Sequence, residues 1–400
     1  MTVTFVSNFI NHHQAPLADC LYEKLGMEYH FVQTMPMEEE RVNMGWDTGM
    51  TKKPYVRLYY EEPEACLQLI LDSDVVIFGW TGETRLLTKR METGKPTLRV
   101  SERIYREGQW KAISPKGLLA KYREHIRYKN TNLCMLCAGA YVASDFHLIH
   151  AYPDKMFKWG YFPPFKAYEP GELEAKKEAF MQENLVYATK PGETGPLQMV
   201  WAGRMIPLKH PEYVVKAAGK LTEQGFRYHV HMIGAGQMEE ELRRMVVEQG
   251  LSANFTFYGF GTPEQVRELM EKCHIHLFTS NYLEGWGAVV NEGMNSGCVE
   301  IASAQAGAVP YLIAHGKNGF VYHKDSYKEF EKQVLYVVEN WEQVQHVGQN
   351  AYETIANLWN AEKAADRLLK FCDHLQNGKI VFAKEGPLSV APVISPRTER

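Results

Sequence analysis

The sequence lacks the features that mark several classes of protein. Its 400 residues include seven cysteines without regular spacing, which favours reduced thiols over a disulfide framework. No apolar run approaches the roughly 20 residues that a membrane-spanning helix needs. Residues 1–13 have neither the basic start nor the long apolar segment of a signal peptide. We therefore expect a cytoplasmic protein.

The chain as a whole also has no large excess of positive or negative charge. The net charge is −4, so nothing global points to nucleic acid. Residues 85–129 are the exception, because they hold 13 Lys and Arg against four Glu. This basic segment suits an anionic partner, either a phosphorylated ligand or the inner face of an anionic membrane. It is equally consistent with a solvated, salt-bridged surface.

Short apolar, β-branched runs alternate with helical stretches along the chain. In the first half, the predicted strands are 2–7, 28–33, 74–79, 96–100, 132–137 and 156–162. In the second half, they are 197–203, 228–234, 255–259, 274–280, 299–303 and 319–322. This rhythm predicts an α/β fold with two doubly wound, Rossmann-like domains that face a central cleft.

Changes in composition predict where the domains begin and end. We expect an N-terminal domain over 1–165, a linker rich in proline and charge over 166–196, and a C-terminal domain over 197–355. A helix over 356–379 should pack back on the N-terminal domain, and residues 380–400 should form a flexible tail. Ligands of such sheets bind at the carboxyl ends of the strands, so the residues that follow the strands are the candidates for function.

The first candidate motif follows the strand predicted over 197–203. Gly203 allows a sharp turn off the strand, and Arg204 and Lys209 come from the same loop. Two fixed cations can hold a diphosphate and neutralise it as it leaves, without a metal ion. Taken alone, an Arg and a Lys in one loop are a weak signal.

The second candidate motif, Gly234-Ala235-Gly236, follows the strand predicted over 228–234. It is half of a dinucleotide fingerprint, and it precedes a helix whose N-terminus can bind an anion. A tight turn between strand and helix explains the same residues equally well.

The strongest signal follows the strand predicted over 274–280. Glu284 and Glu292 are eight residues apart, and Gly285 and Gly287 free the backbone at the start of a predicted helix. The helix N-terminus suits phosphate, and each carboxylate can accept hydrogen bonds from sugar or ribose hydroxyls. One surface acid and one helix acid would be the ordinary explanation of either glutamate alone.

These motifs occur in a fixed order with Tyr258-Gly259-Phe260, Gly297, Gly307 to Pro310 and Asn318-Gly319. As a set over about 198–323, they resemble the C-terminal domain of GT-B glycosyltransferases, specifically the large retaining family 4. The sequence departs from the family pattern at Cys298-Val299-Glu300, where the family has a proline, and at Ala308 and Tyr311.

The resemblance implies a site for a nucleoside-diphosphate sugar in the C-terminal domain. Arg204 and Lys209 would stabilise the leaving diphosphate, Glu284 would hold hydroxyls of the donor sugar, and Glu292 would hold the ribose. The donor-binding residues would be Gly203, Gly234, Gly236, Tyr258, Gly259, Phe260, Gly285, Trp286, Gly287, Ala288 and Glu292. The reaction would retain the anomeric configuration and need no metal or cofactor, and a UDP-sugar is slightly favoured as co-substrate.

The N-terminal domain would then bind the acceptor. His12 and His13 follow the first strand, Trp80 follows the strand predicted over 74–79, and Glu102 follows the strand predicted over 96–100. They are candidates for contacts to phosphate or acceptor hydroxyls, for stacking on a sugar, and for a base. Packing histidines, a core tryptophan and a surface acid are the ordinary alternatives.

The sequence therefore predicts a retaining, metal-independent transferase that moves a sugar to a glycan or lipid-linked acceptor. The whole arrangement also resembles transferases of bacterial surface-polysaccharide assembly. Two alternatives stay open: a nucleotide-sugar epimerase of the same fold, and a non-catalytic scaffold protein. The paired cations and both glutamates favour transfer over these alternatives.

Overall fold

A computed structural model describes residues 1–37, 49–183 and 195–396. The chain divides into two compact units. The N-terminal unit comprises residues 1–164 together with 358–395, and the C-terminal unit comprises residues 165–357. Each unit is built around its own parallel sheet.

Within the described ranges, the N-terminal unit forms a seven-stranded sheet. Its strands are β1 (Val3–Ser7), β2 (Tyr29–Gln33), β3 (Val56–Leu58), β4 (Val75–Phe78), β5 (Thr97–Ser101), β6 (Leu133–Ala138) and β7 (Met156–Trp159). They are all parallel and lie in the order β3-β2-β1-β4-β5-β6-β7. Helices cover both faces of such a sheet, which explains why β1, β4 and β6 are buried along their whole length.

Helices of the N-terminal unit follow its strands. They are α1 (Ala15–Leu25), α2 (Pro63–Asp72), α3 (Thr84–Glu92), α4 (Pro115–Glu124) and α5 (Val142–Leu148). α1, α2 and α4 each have a proline in their first turn, where the missing N–H has no helical partner to lose.

The C-terminal unit repeats the same topology. Its strands are β8 (Leu197–Ala202), β9 (Tyr228–Ile233), β10 (Phe255–Gly259), β11 (Ile275–Phe278), β12 (Val299–Ser303) and β13 (Phe320–Tyr322). They are parallel and lie in the order β10-β9-β8-β11-β12-β13, which is the strand order of a Rossmann sheet. The predicted doubly wound α/β fold is confirmed in both units.

Helices of the C-terminal unit are α6 (Glu172–Glu183), α7 (Glu212–Glu223), α8 (Glu239–Glu248), α9 (Pro263–Lys272), α10 (Ala288–Asn295), α11 (Val309–Leu312), α12 (Tyr327–Glu339), α13 (Trp341–Val344) and α14 (Val347–Asn357). The N-terminus of α9 shows how local sequence starts a helix. The Thr262 side chain accepts from the Gln265 backbone N–H, and the Gln265 side chain accepts from the backbone N–H of Thr262.

The segment that the sequence assigns to a linker packs on the C-terminal unit where it is described. The buried carboxylate of Glu271 in α9 accepts from Lys166 Nζ at 2.6 Å, Tyr168 Oη at 2.6 Å and Lys176 Nζ at 2.8 Å. α6 lies in the same segment, and residues 184–194 are outside the described ranges. This segment is attached to the C-terminal unit mainly through charged contacts and not through an apolar stripe. Its composition therefore resembles that of a linker.

The chain returns to the N-terminal unit with α15 (Ala361–Gln376). Phe371 of α15 packs edge-on against Phe157 with ring centroids 4.9 Å apart, and Asp366 pairs with Lys24 of α1 at 2.8 Å. Beyond this helix, the interpretation of 380–400 as a flexible tail needs correction for part of its length. Leu388 and Ala391 are buried and Val390 pairs with Phe157 as an antiparallel bridge, so these residues are fixed by packing. Residues 397–400 are outside the described ranges.

Among the helices of the described ranges, none combines the length and the apolar character that crossing a bilayer would require.

Candidate functional site

The loops that follow β8 and β9 are pressed together at the carboxyl edge of the C-terminal sheet. A Cβ atom on Gly234 would lie 1.9 Å from the Gly203 carbonyl oxygen, and one on Gly236 would lie 2.4 Å from the Met205 carbonyl oxygen. The Met205 N–H donates to the Ala235 carbonyl at 2.9 Å. The two glycines therefore allow a direct contact between two backbones, which no larger residue would permit.

A second set of contacts joins the loop after β8 to the loop after β11. The Thr279 hydroxyl donates to the Lys209 carbonyl at 2.5 Å and accepts from Trp201 Nε1 at 2.9 Å. The Asn281 N–H donates to the Leu208 carbonyl at 2.9 Å. The backbone that carries Lys209 is thus fixed from two sides.

Lys209 and Glu284 form an ion pair between these loops. Lys209 Nζ lies 2.5 Å from Glu284 Oε2, and the two side chains are 15% and 18% exposed. Both groups are mostly withdrawn from water, yet each remains accessible at the edge of the sheet. Arg204 comes from the same loop as Lys209 and is exposed. The structure therefore brings Lys209 and Glu284 into contact, whereas the role of Arg204 in catalysis stays a prediction.

The N-terminus of α10 opens beside Glu284. Gly287 begins the helix at φ 91°, and a Cβ atom there would lie 2.8 Å from the Phe278 ring. The first N–H groups of a helix have no partner within it and carry partial positive charge, so the backbone at Ala288 can receive an anion. This backbone geometry permits donor binding at Gly287 and Ala288, and their roles stay a prediction.

The Trp286 side chain occupies a different place from the one predicted. It is 1% exposed, and its Nε1 donates to Asn291 Oδ1 at 2.8 Å. The carbonyls of Gly285 and Trp286 accept from the Gly307 and Ala308 N–H groups at 3.2 and 3.0 Å. Trp286 is therefore a packing residue that fixes this loop, and its ring is not available to a ligand.

Glu292 lies in the second turn of α10 and is partly buried. Burial raises the pKa of its carboxyl above the usual value, although the Arg267 guanidinium acts in the opposite direction. Within the described ranges, the carboxylate makes no hydrogen bond to the protein. A half-buried acceptor without a partner is suited to ligand hydroxyls.

A buried pair under α10 was not predicted from the sequence. His276 Nδ1 and Glu300 Oε2 lie 2.8 Å apart, and both side chains are 0% exposed. They are register partners on the adjacent strands β11 and β12. A Cβ atom on the helical residue Gly293 would lie 2.1 Å from Glu300 Oε1, so this glycine makes room for the pair. Glu300, where the sequence departs from the family pattern, is thus paired with His276. A polar residue at the matching position of each of two neighbouring strands was the signal that could have predicted this pair.

His210 is a second residue that the sequence analysis missed. It has φ 44°, and its Nδ1 and Nε2 lie 2.9 Å from Glu212 and 3.3 Å from Asp325. Burial lowers the pKa of His210, but the hydrogen bond to Glu212 and the charge of Asp325 outweigh it, so the pKa is raised. A histidine that gains protons readily therefore lies next to Lys209.

At the end of β10, some residues pack against the protein and others are exposed. The Gly259 carbonyl accepts from the Gly234 N–H at 2.7 Å, which ties this loop to the one after β9. The Tyr258 hydroxyl lies 2.9 Å from His231 Nδ1, while the Phe260 ring is 62% exposed. Gly259 and Phe260 are thus placed near the loops described above, whereas the Tyr258 hydroxyl is occupied by the protein.

In the N-terminal unit, three of the four predicted acceptor residues belong to one cluster. His12 and His13 have ring centroids 3.9 Å apart, and His13 stacks on Tyr161 at 5.9 Å. The Tyr161 hydroxyl donates to Glu102 Oε1 at 2.7 Å. Burial, with a smaller contribution from His12, lowers the pKa of His13 to about 3, so its imidazole is neutral at physiological pH. Tyr161 connects the histidines to Glu102, and no sequence spacing indicated that connection.

Trp80 is the fourth of these residues. Its carbonyl accepts from the Asn8 N–H at 2.7 Å and from the Ser7 hydroxyl at 3.3 Å, so its backbone is tied to the end of β1. Its ring is 66% exposed. The ring is therefore available for stacking on a sugar instead of filling the core.

Comparisons with known proteins agree with this geometry. Residues 188–354 match the family of glycosyl transferases group 1. The chain is 23% identical over 166 residues to a poly(ribitol-phosphate) alpha-N-acetylglucosaminyltransferase of Staphylococcus aureus, which covers 42% of this chain and 33% of that protein. It is 24% identical over 131 residues to the amylovoran biosynthesis glycosyltransferase AmsK of Erwinia amylovora, which covers 32% of each. The matched region thus spans about a third of these relatives.

Similarity to solved structures extends further along the chain. HepE of Anabaena, solved in complex with UDP, superposes with a TM-score of 0.66 over 92% of this chain and 99% of that one, at 14% identity. At this identity the likeness establishes the fold. The chain therefore has the GT-B fold, and its residues 188–354 are similar to the glycosyl transferases group 1 family.

Proposed function

We propose that this protein transfers a sugar from a nucleoside-diphosphate sugar to a hydroxyl of a glycan or lipid-linked acceptor, with retention of anomeric configuration and without a metal ion. The observation that carries the proposal is the Lys209–Glu284 pair, fixed between two loops at the carboxyl edge of the C-terminal sheet. A cation for a diphosphate and a carboxylate for sugar hydroxyls are already in contact there.

Binding of the donor would exchange the partners of this pair. The diphosphate would compete with Glu284 for Lys209, with Arg204 and the N-terminus of α10 as further donors. Glu284 would then be released to accept hydrogen bonds from hydroxyls of the sugar. Because the loops are fixed before the ligand arrives, the cations would be positioned for the charge that develops on the leaving diphosphate. This is the electrostatic work that a metal ion does in other transferases.

The rest of the donor would extend along α10. The partly buried carboxylate of Glu292 has unused acceptor capacity and would hold the ribose hydroxyls. The base is proposed to be uracil, since the similar HepE structures hold UDP, or UDP-glucose in a further complex. The exposed Phe260 ring would be available to stack on it.

The acceptor would bind to the N-terminal unit. His13 is neutral and would contact the acceptor as an uncharged hydrogen-bonding group, and Glu102 carries an acceptor carboxylate that Tyr161 and Arg106 orient. The exposed Trp80 ring would stack on a sugar of the acceptor. The names of the relatives from Staphylococcus and Erwinia favour a role in surface-polysaccharide or glycoconjugate biosynthesis.

Removing the pair tests the proposal. Lys209→Ala and Glu284→Ala should each lower the release of UDP from a UDP-sugar by about 10²–10³-fold, because each removes a group that acts on the transition state. Lys220→Ala and Glu223→Ala are the matched controls, because they break an exposed Lys–Glu pair at 2.6 Å on α7. The controls should keep activity within about twofold.

The products identify the reaction class. A transferase releases UDP and a new glycosidic bond whose configuration, read by NMR, matches that of the donor. An epimerised sugar nucleotide with no released UDP would assign the epimerase alternative. Full activity of Glu284→Ala would contradict the proposed site, and activity lost on adding EDTA would contradict the metal-independent mechanism.

A further inference from the structure

α4 stands out by its exposure among the helices of the described part of the chain. None of its residues, Pro115–Glu124, is buried. Every other helix of eight or more residues in the described part of the chain buries at least one side chain. A short helix that buries no side chain gains little stability from packing, so its exposed face calls for an explanation.

Large apolar side chains concentrate on α4 and on the turn before it. Trp110 is 66% exposed, Ile113 80%, Leu118 38%, Leu119 52% and Tyr122 53%. These five belong to a group of 20 exposed large hydrophobic residues in the described part of the chain, and they lie within 13 consecutive positions. Single exposed apolar residues are ordinary on protein surfaces, but a contiguous group indicates a binding surface.

The order of residues in α4 separates apolar from basic positions. At about 100° per residue, Leu118, Tyr122 and Leu119 fall within an arc of about 100°. Lys116 and Arg123 lie on one flank of that arc, and Lys121 lies on the other. This is the pattern of a helix that lies in the plane of a membrane interface, with its apolar face down and its cations beside the headgroups.

The structure also separates the cations of the basic segment 85–129 into those that are used inside the unit and those that remain exposed. Arg90 is buried and donates to backbone carbonyls, and Arg103 forms a buried pair with Asp145 at 3.1 Å. These cations hold the unit together and are not available to a partner. Lys116 and Arg123, in contrast, are exposed and form no ion pair within the described ranges.

We propose that the α4 surface, defined as Trp110, Ile113, Leu118, Leu119 and Tyr122 with Lys116 and Arg123, docks on an anionic lipid bilayer. The apolar arc would enter the headgroup region, and the two free cations would contact anionic headgroups. Trp110 and Tyr122 are the side chains that interfaces of membranes favour. The proposal goes beyond the transfer reaction and does not depend on it.

The presence of Lys116 beside the apolar arc favours a bilayer over a protein as the partner. Lysine is depleted in protein interfaces, where its flexible charged chain must be desolvated. A bilayer surface leaves the ammonium group hydrated while its stem covers apolar surface. The combination of apolar arc and flanking cations therefore fits lipid better than protein.

Vesicle flotation with the full-length chain tests the inference in the absence of any sugar nucleotide. The vesicles are pure phosphatidylcholine, or phosphatidylcholine with phosphatidylglycerol. We expect the wild type to float with the anionic vesicles and to be released by high salt. Ile113→Ser with Leu119→Ser should lower the partition constant at least about tenfold. Lys116→Gln with Arg123→Gln should lower it about fivefold for each charge removed.

Matched substitutions on another exposed helix provide the control. Val247→Ser with Arg244→Gln changes one exposed apolar residue and one exposed cation on α8, where Val247 is 67% exposed. This variant should float like the wild type. All the substituted residues are exposed, so thermal unfolding should not shift, and the test does not confuse docking with folding.

Three results would overturn the proposal. They are failure of the wild type to float with either vesicle, equal flotation with neutral and anionic vesicles, and undiminished flotation of the Ile113→Ser, Leu119→Ser variant. Because no donor or acceptor is present, a failed docking test leaves the transfer reaction intact, and a failed transfer test leaves docking intact.

Discussion

The two units have the same strand order but build their candidate sites in different ways. In the C-terminal unit, backbone meets backbone: the loops after β8, β9 and β11 are joined by close glycine contacts and main-chain hydrogen bonds. In the N-terminal unit, side chains meet side chains, with His13, Tyr161 and Glu102 in a stacked and hydrogen-bonded row. Backbone contacts demand glycine at fixed positions, so they are visible in a sequence. Side-chain contacts can form between residues at many different spacings, so they are not visible in a sequence.

The largest effect is expected where two backbones touch. Gly234→Ala places a Cβ atom 1.9 Å from the Gly203 carbonyl oxygen, at a residue with φ 133°. Neither backbone can move without breaking the sheet edge, so we expect a loss of about 4 kcal/mol or more in the free energy of unfolding. Urea denaturation of the purified variant, or its failure to fold, is the measurement.

Gly250→Ala is the control for this substitution. Gly250 has φ 69°, but nothing lies within 4 Å of the position of its Cβ. We expect a loss of only about 1 kcal/mol, from backbone strain alone. Equal losses at Gly234 and Gly250 would show that the positive φ of each glycine, and not the contact between two backbones, determines the effect. The proposed difference between the C-terminal and the N-terminal site would then be lost.

The buried pair of His276 and Glu300 gives the next largest effect. His276→Leu leaves the Glu300 carboxylate buried without its partner, and we expect a loss of about 3 kcal/mol. Adding Glu300→Val removes both polar groups and should recover most of that loss. A double-mutant cycle in urea denaturation measures the coupling. Additive effects would mean that the two residues act independently despite the 2.8 Å contact.

Acid should weaken both units alike, since each buries a neutral histidine. Burial lowers the pKa of both His13 and His231 from the usual 6.5 to about 3. The unfolded chain therefore binds more protons between these values, so stability falls as pH falls. From pH 6.5 to 5 we expect a loss of about 1.5 kcal/mol from each histidine.

Denaturation at several pH values checks this dependence. His231→Gln should flatten the profile. The same substitution at the exposed His346, just before α14, is the control. An unchanged slope in His231→Gln would contradict the assignment of a neutral, buried imidazole.

The smallest effect is expected in the N-terminal cluster. Tyr161→Phe removes the hydrogen bond to Glu102, while Arg106 still pairs with that carboxylate. We expect a loss of about 1 kcal/mol or less, since the freed Glu102 oxygen remains near water. A loss as large as that of Gly234→Ala would show that the side-chain cluster is as rigid as the backbone contact.

Much of the fold was predictable, because buried parallel strands are continuous apolar runs. The short edge strand β3 was missed, since three residues give too little signal. The linker and tail were misjudged because Glu271 and Leu388 hold them through contacts to residues far away in the sequence. In the C-terminal site, glycine neighbours singled out Lys209 and Glu284, whose side chains are in contact in the structure. His210 and Tyr161 were not singled out, because only the folded chain shows their partners.

The central claim is that the Lys209–Glu284 loops hold a nucleoside-diphosphate sugar. Thermal unfolding with a panel of UDP-, GDP-, ADP- and dTDP-sugars, with and without EDTA, tests it most directly, because a ligand that binds only the folded state raises the melting temperature. The account predicts a rise with one class of sugar nucleotide, UDP-sugars being favoured, that persists in EDTA and is lost in Lys209→Ala. No rise with any of them, or an undiminished rise in Lys209→Ala, would contradict it.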